Sequence, residues 1–262
     1  GQESKRRTAR LARERGNEDR ALAYWQSLRK ELPTDSEVQS NLIELYEATG
    51  KWHQVADILR SRADSLPAEE VEEKVALYNR LIPLYTEKLN MEAKVASTYQ
   101  AILALQPGNE EAFTALCSHY RSTNRFPDLV KVLKASIAAA EEPQRRYDLH
   151  FEIAVIMEEN FSNATEAMKN YEAMLEIAPE DLSVVRKLKE LYEQRRDWNS
   201  YVDVARRELD FLEGDERFEQ LRKLAQLAFE NVRDPAAGVE LWKEVRATEP
   251  QDGAAFDALM QL

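Results

Sequence analysis

Apolar residues recur every three or four positions along most of this chain, in stretches separated by short polar segments. One example is Leu42, Leu45 and Tyr46, followed after a polar turn by Val55 and Leu59. A period near 3.6 residues places such side chains on one face of an α-helix. Two periodic stretches joined by a short turn predict a helical hairpin.

One pattern returns at long intervals: a small or branched residue, an aromatic, an aliphatic and a proline. Its four copies are Ala21, Trp25, Leu28 and Pro33; Val95, Tyr99, Ile102 and Pro107; Ala167, Tyr171, Met174 and Pro179; and Gly238, Trp242, Val245 and Pro250. The aromatics are 74, 72 and 71 residues apart, and each lies eight residues before its proline. Such regularity predicts a repeat architecture in which the aromatics pack between neighbouring hairpins.

A second pattern lies between these copies, in the segments "GKWHQVADIL", "NRFPDLVKVL" and "RDWNSYVDVA". Its aromatics are Trp52, Phe126 and Trp198, spaced 74 and 72 residues apart. The full period therefore contains two hairpins of about 36 residues each, which is within the range of helical repeats.

Prolines and N-cap residues mark the predicted hairpin boundaries. Each predicted hairpin has a first and a second helix, and six prolines lie where second helices are expected to end, because proline cannot continue a helix. The segments "TDSEV", "GNEEAF", "EDLSVV" and "QDGAAF" contain residue types that commonly cap the start of the next first helix. The expected hairpins cover 3–33, 36–67, 70–107, 109–143, 145–179, 182–213 and 216–250, with a last helix at 253–262. Pro83 lies inside the predicted 70–89 helix and is expected to kink it. Because the last helix is apolar and carries no polar cap, we expect the native protein to continue.

These residues resemble the tetratricopeptide repeat (TPR), in a divergent form typical of long bacterial arrays. The match is carried by the second-helix pattern of Ala21, Trp25, Leu28 and Pro33, and in part by first-helix tyrosines such as Tyr46. The resemblance implies an all-α fold, a right-handed α-solenoid of about seven stacked antiparallel hairpins plus one extra helix. We therefore expect a single solenoid over residues 1–262. A related interpretation is the half-a-TPR type of RNA-processing scaffolds, which the acidic charge disfavours.

The charge balance narrows the class of partner. The chain is 32% charged and carries a formal net charge of −12, which disfavours nucleic acid because phosphates are bound by clustered lysines and arginines. The segment 4–15, "SKRRTARLARER", is a basic exception. We interpret it as a solvated first helix, with a patch for nucleic acid or an acidic partner as the alternative. No apolar run is long enough to insert into a membrane.

The sequence contains no recognisable catalytic or metal-binding pattern. His53, His119 and His150 fall in three different hairpins, so none has a partner at metal-ligand spacing. Cys117 and His119 are two residues apart and would point to different sides of a helix, so a structural role for Cys117 is favoured. We therefore expect a non-enzymatic protein without cofactors or metals.

In the TPR family, variable polar residues on the first helices line a concave groove that receives a peptide or a helix. Taking the first-helix tyrosines as anchors, the corresponding positions here are Asn41, Glu44, Glu47, Ser118, Arg121, Lys187, Glu190 and Glu193. This mixed, acid-leaning set predicts a protein or peptide partner with a basic or amphipathic segment. It does not fit a carboxylate clamp, which needs lysine and asparagine at set positions.

Two other functions stay open at this point. The first is a regulatory or sensor domain attached to a catalytic domain outside this fragment. The second is a self-assembling structural solenoid, in which exposed ends of two copies stack end to end.

Overall fold

The computed structural model describes residues 1–233 and 235–261, and these residues form fifteen α-helices and one π-helical segment, without β-strands. The helices are α1 (Gln2–Glu14), α2 (Glu18–Glu31), α3 (Ser36–Ala48), α4 (Trp52–Ser65), α5 (Val71–Pro83), α6 (Glu92–Leu105), α7 (Glu110–Ser122), α8 (Phe126–Ala139), α9 (Pro143–Glu159), α10 (Ala164–Ile177), α11 (Leu182–Arg195), α12 (Trp198–Leu209), α13 (Gly214–Asn231), α14 (Pro235–Thr248) and α15 (Gly253–Met260). The π segment, Leu84–Lys88, follows α5. The predicted all-α class is thus confirmed.

The chain divides into two compact units, residues 1–132 and 133–262. In the first unit, consecutive helices from α1 to α7 pack against one another, and in the second, consecutive helices from α9 to α15 do the same. This order confirms the predicted array of helical hairpins, with α15 as the extra helix. A single solenoid over both units stays a prediction.

The repeat aromatics occupy the cores of the two units. Trp25 lies in the core of the first unit and Trp242 in that of the second, and both are essentially inaccessible to solvent. Tyr171 is buried as well, so the predicted packing role is confirmed at these three positions. Tyr99, the fourth member of the set, is only partly buried.

Side-chain caps begin the first helices where the sequence predicts them. The carboxylate of Asp35 accepts a hydrogen bond from the backbone N–H of Val38 at 3.0 Å, and Asn109 caps α7 in the same way. Asp181 and Asp252 cap α11 and α15. Each cap satisfies a backbone N–H that the helix leaves unpaired. Because only a few residue types can do this, the starts of the helices can be predicted from the sequence.

A hydrogen bond recurs at three boundaries between hairpins, from α2 to α3, from α6 to α7 and between α10 and α11. The residue after the repeat aromatic bonds the hydroxyl of the next first-helix tyrosine. Gln26 donates to Tyr46 at 2.8 Å, and Gln100 donates to Tyr120 at 2.5 Å. In the second unit the direction reverses, because the hydroxyl of Tyr192 donates to the carboxylate of Glu172. The three tyrosines are buried, so this bond satisfies a polar group inside each core.

Pro83 changes the geometry of its helix, as the sequence suggests. α5 ends at Pro83, and the chain continues directly as the π segment rather than as α-helix. Proline lacks the N–H that would bond the preceding turn, and wider π turns are one way in which a helix absorbs such a disruption. Asn90 then turns the chain into α6 with a left-handed φ of 51°.

Among the described residues, no helix has both the length and the apolar character needed to cross a membrane.

Candidate functional site: the polar faces of the first helices

The eight predicted binding residues lie on three first helices. Those on α3 and α7 belong to the first unit: Asn41, Glu44, Glu47, Ser118 and Arg121. The remaining three belong to α11 in the second unit: Lys187, Glu190 and Glu193. All eight are at least partly exposed, but they differ in whether the chain itself already binds them.

The candidates on α3 are bound by arginines of neighbouring first helices. Arg13 of α1 lies 2.6 Å from the carboxylate of Glu44 and donates to the amide oxygen of Asn41 at 3.4 Å. Arg80 of α5 lies 3.5 Å from the carboxylate of Glu47. Since these groups are paired within the chain, a ligand would have to displace an arginine to reach them.

Four of the six basic side chains in the N-terminal segment 4–15 pair with carboxylates on α2, on α3 or at the N-cap of α3. Lys5 pairs with Glu31, and Arg6 lies 2.6 Å from the carboxylate of Asp35 and also pairs with Glu37. The N–H of Val38 and the guanidinium of Arg6 lower the pKa of Asp35. These pairs favour a structural role for the segment over a patch for nucleic acid.

On α11, the positive side chains are engaged by other helices of the second unit. Arg186 and Lys189 both bind the carboxylate of Glu208 on α12, at 3.2 and 2.6 Å. The remaining two are Lys187, which lies 2.9 Å from a carboxylate oxygen of Glu158 on α9, and Arg195, which donates to the hydroxyl of Thr165. Each basic group of this helix thus has a partner within the chain.

The carboxylates of α11 are left facing solvent. Glu190 accepts only a long, 3.4 Å hydrogen bond from Gln194 of its own helix, and no described side chain pairs with Glu193. On α7, the exposed hydroxyl of Ser118 likewise has no partner among the described residues. The unpaired charge on α11 is therefore negative, although the helix carries four basic side chains and only two acidic ones.

The residues considered for catalysis occupy structural or isolated positions. Nδ1 of His150 lies 2.9 Å from the amide oxygen of Asn170, and His53 is exposed. Cys117 is buried, as predicted. Within the described residues, no group of three or more histidine, cysteine or carboxylate side chains is arranged to hold a metal ion.

The sequence did not predict the arginines that bind the α3 candidates. The first-helix tyrosines used as anchors occur in every second hairpin, so the pattern does not reach α1 and α5, which carry Arg13 and Arg80. The half-period of about 36 residues contained the missing signal, because it places a first helix on either side of α3.

Neither a family model nor a curated protein matches the sequence. Solved structures of similar arrangement include the C-terminal part of a TPR repeat-containing protein from Cytophaga hutchinsonii, at 15% identity and a TM-score of 0.34, covering 97% of this chain and 98% of that one. A TPR protein from Parabacteroides merdae has 14% identity and a TM-score of 0.32, with coverages of 99% and 97%. A chain of a Naa15/Naa10 complex bound to HypK has 15% identity and a TM-score of 0.37, and this protein spans 43% of it. At these identities and TM-scores, the likeness carries no information on what this chain binds.

Proposed function

We propose that this protein is a non-enzymatic scaffold that binds a basic or amphipathic segment of a protein partner on the polar faces of its first helices. The observation that carries the proposal is the charge pattern of α11. Its cations are bound within the chain, whereas Glu190 and Glu193 remain available to a positively charged ligand.

The hydrophobic repeat positions support the same proposal, because stacking between helices leaves them unavailable. Trp25, Tyr171 and Trp242 are buried in the repeat cores and cannot contact a partner. In a repeat array of this kind, recognition is therefore left to the exposed positions that differ between repeats. Opposite charge at such positions contributes mainly to specificity and to the rate of association.

The experiment is affinity capture from an extract of the native organism with the wild-type chain and a charge-reversed variant, E190K/E193K. We expect the variant to lose a defined subset of the captured proteins, and we expect those proteins to elute from the wild type as salt is raised. Glu176→Lys is the matched control, because Glu176 is an exposed carboxylate on the second helix α10. An identical set of captured proteins for wild type and E190K/E193K would overturn the proposal.

Glu44→Lys makes a less specific test, although Glu44 is one of the predicted residues. Reversing its charge places two cations side by side, because Arg13 lies 2.6 Å from its carboxylate. A loss of binding in that variant could come either from the lost contact with the partner or from a displacement of α1. The two α11 carboxylates avoid this problem.

A further inference from the structure

A cavity of about 460 Å³ opens in the first unit where the π segment, the start of α6 and α7 meet. Its apolar wall includes Val95 and Leu116 together with the rings of Tyr85 and Tyr99. The exposed residues Thr86 and Glu92 line it as well, so the space is a cleft that opens to solvent at one side of the core.

The second unit contains the same backbone arrangement 72 residues later. Asn90 and Ser162 both take left-handed φ angles, 51° and 49°, at the turn into the second helix. The N–H that follows each of them donates to a carbonyl six residues back, at 2.8 Å in both cases. Tyr99 therefore corresponds to Tyr171, and each position around Tyr99 has an equivalent 72 residues later.

In the second unit the equivalent positions carry side chains that bond to one another. The hydroxyl of Tyr171 donates to the carboxylate of Glu158 at 2.7 Å, and the ammonium of Lys187 binds the other oxygen of that carboxylate at 2.9 Å. Met168 is buried beside them on α10. A lysine, a glutamate and a tyrosine thus form one network at these positions.

In the first unit the equivalent side chains are short. Thr86 stands in the place of Glu158, Ala96 in that of Met168, and Ala115 in that of Lys187. Tyr99 keeps its ring at the cavity, but no described residue bonds its hydroxyl. The cavity thus lies at the positions where a lysine-centred network is found one period later.

The charges around the cavity suit a cation. Glu92 and His119 line it, and no described lysine or arginine does. Glu92 has no hydrogen-bond or ion-pair partner among the described residues, and Glu111 lies close enough to Tyr99 to help burial raise the pKa of that phenol. Two tyrosine rings and an unpaired carboxylate attract an ammonium group, while the apolar wall suits a long carbon stem.

We propose that this cavity binds a long, positively charged side chain of the lysine type, supplied by the partner segment in the place that Lys187 fills in the second unit. The proposal rests on the proposed scaffold function, because the lysine belongs to a protein partner. It adds a defined pocket on a different unit from Glu190 and Glu193.

The test uses hexylamine, hexanol and hexanoate, three probes with the same chain length and different charge. Binding is followed by NMR chemical-shift changes of residues 85–99 and 115–119 in the intact chain. We expect hexylamine, which is protonated at neutral pH, to bind about five-fold more tightly than hexanol, the size of effect that an exposed ion pair and a cation–π contact give together. Hexanoate is expected to bind most weakly.

Two sets of variants link the binding to the cavity. Ala115→Lys places a lysine at the position equivalent to Lys187, so its side chain is expected to occupy the cavity and abolish hexylamine binding. Ala96→Met is expected to do the same by filling the space. Ser97→Met is the control on the exposed side of α6. Glu92→Gln is expected to reduce the preference for the amine to the part that the tyrosine rings supply, whereas Glu87→Gln, at an exposed position outside the cavity lining, leaves it unchanged.

Failure of this proposal is distinguishable from failure of the scaffold function. Equal binding of the three probes, no shifts at the cavity up to the solubility limit of hexylamine, or unchanged binding in Ala115→Lys would each overturn the pocket. Ala115 is partly exposed, so its variant is expected to fold even if Ala96→Met does not, which far-UV circular dichroism checks. Capture of partners that depends on Glu190 and Glu193 but not on Ala115→Lys would keep the scaffold function and overturn only the pocket's role in it.

Discussion

Truncation of a repeat aromatic tests whether these residues hold the array together. Trp25 is fully buried, so Trp25→Ala removes the whole indole from the core of the first unit. Replacement of a large buried aromatic by alanine costs about 3–5 kcal/mol in the free energy of unfolding. Because the stability of a repeat array is set by neighbouring interfaces, we expect the loss to appear in the unfolding of the first unit.

The indole nitrogen of Trp25 sharpens this prediction. It is buried, and it has no hydrogen-bond partner among the described residues. Trp25→Phe therefore leaves a smaller cavity and also removes an unpaired donor, whose burial costs about 1–3 kcal/mol. The two effects oppose each other, so we expect the free energy of unfolding to change by about 1 kcal/mol or less in this variant.

The assay is urea unfolding followed by far-UV circular dichroism at constant protein concentration. Tyr24→Ala is the control on the same helix, because Tyr24 is only partly buried, and we expect it to cost about 1 kcal/mol. If Trp25→Ala lowers the stability no more than Tyr24→Ala does, the packing role of the repeat aromatics is refuted.

Two further predictions concern the second unit. Burial and the hydrogen bond to Asp181 raise the pKa of Tyr147 to about 12, against an ordinary value of 10.0. As the pH rises, the phenol of Tyr147 therefore loses its proton in the unfolded chain before it does so in the folded chain. The contribution of the protonated phenol to the free energy of unfolding is present below pH 10 and is lost as the pH rises to about 12. Urea unfolding across this range should show a smaller loss for Tyr147→Phe than for wild type, and equal losses would contradict the argument. Gly238→Ala is expected to lower the thermal unfolding midpoint although alanine favours helix, because its Cβ would lie 3.1 Å from the backbone Cα of Phe229. Gly253→Ala, with open space around it, should not lower the midpoint.

The architecture could be predicted from the sequence because it depends on local chemistry that repeats. Asp35 and Asn109 are capping residue types at helix starts, and the spacing of Trp25 from Pro33 returns in each copy. Such signals act within a few residues of the backbone they control. They are therefore visible in a single sequence.

The candidate site was less predictable, because it depends on which charges meet across helices. Nothing near Glu44 in the sequence shows that Arg13 binds it, and the two are 31 residues apart. The cavity beside Tyr99 arises from three short side chains on three separate elements. Only comparison with the equivalent positions of the second unit shows that a network is missing there.

The burial of the tryptophans has a spectroscopic consequence. Each unit contains one buried indole and one that is partly exposed to solvent. These are Trp25 and Trp52 in the first unit, and Trp242 and Trp198 in the second. Chains that keep only Trp25 or only Trp242, with phenylalanine at the other three positions, would emit at shorter wavelength when folded than when unfolded. The repeat thus supplies an intrinsic fluorophore for each unit, with which the melting of the two could be recorded separately without any added label.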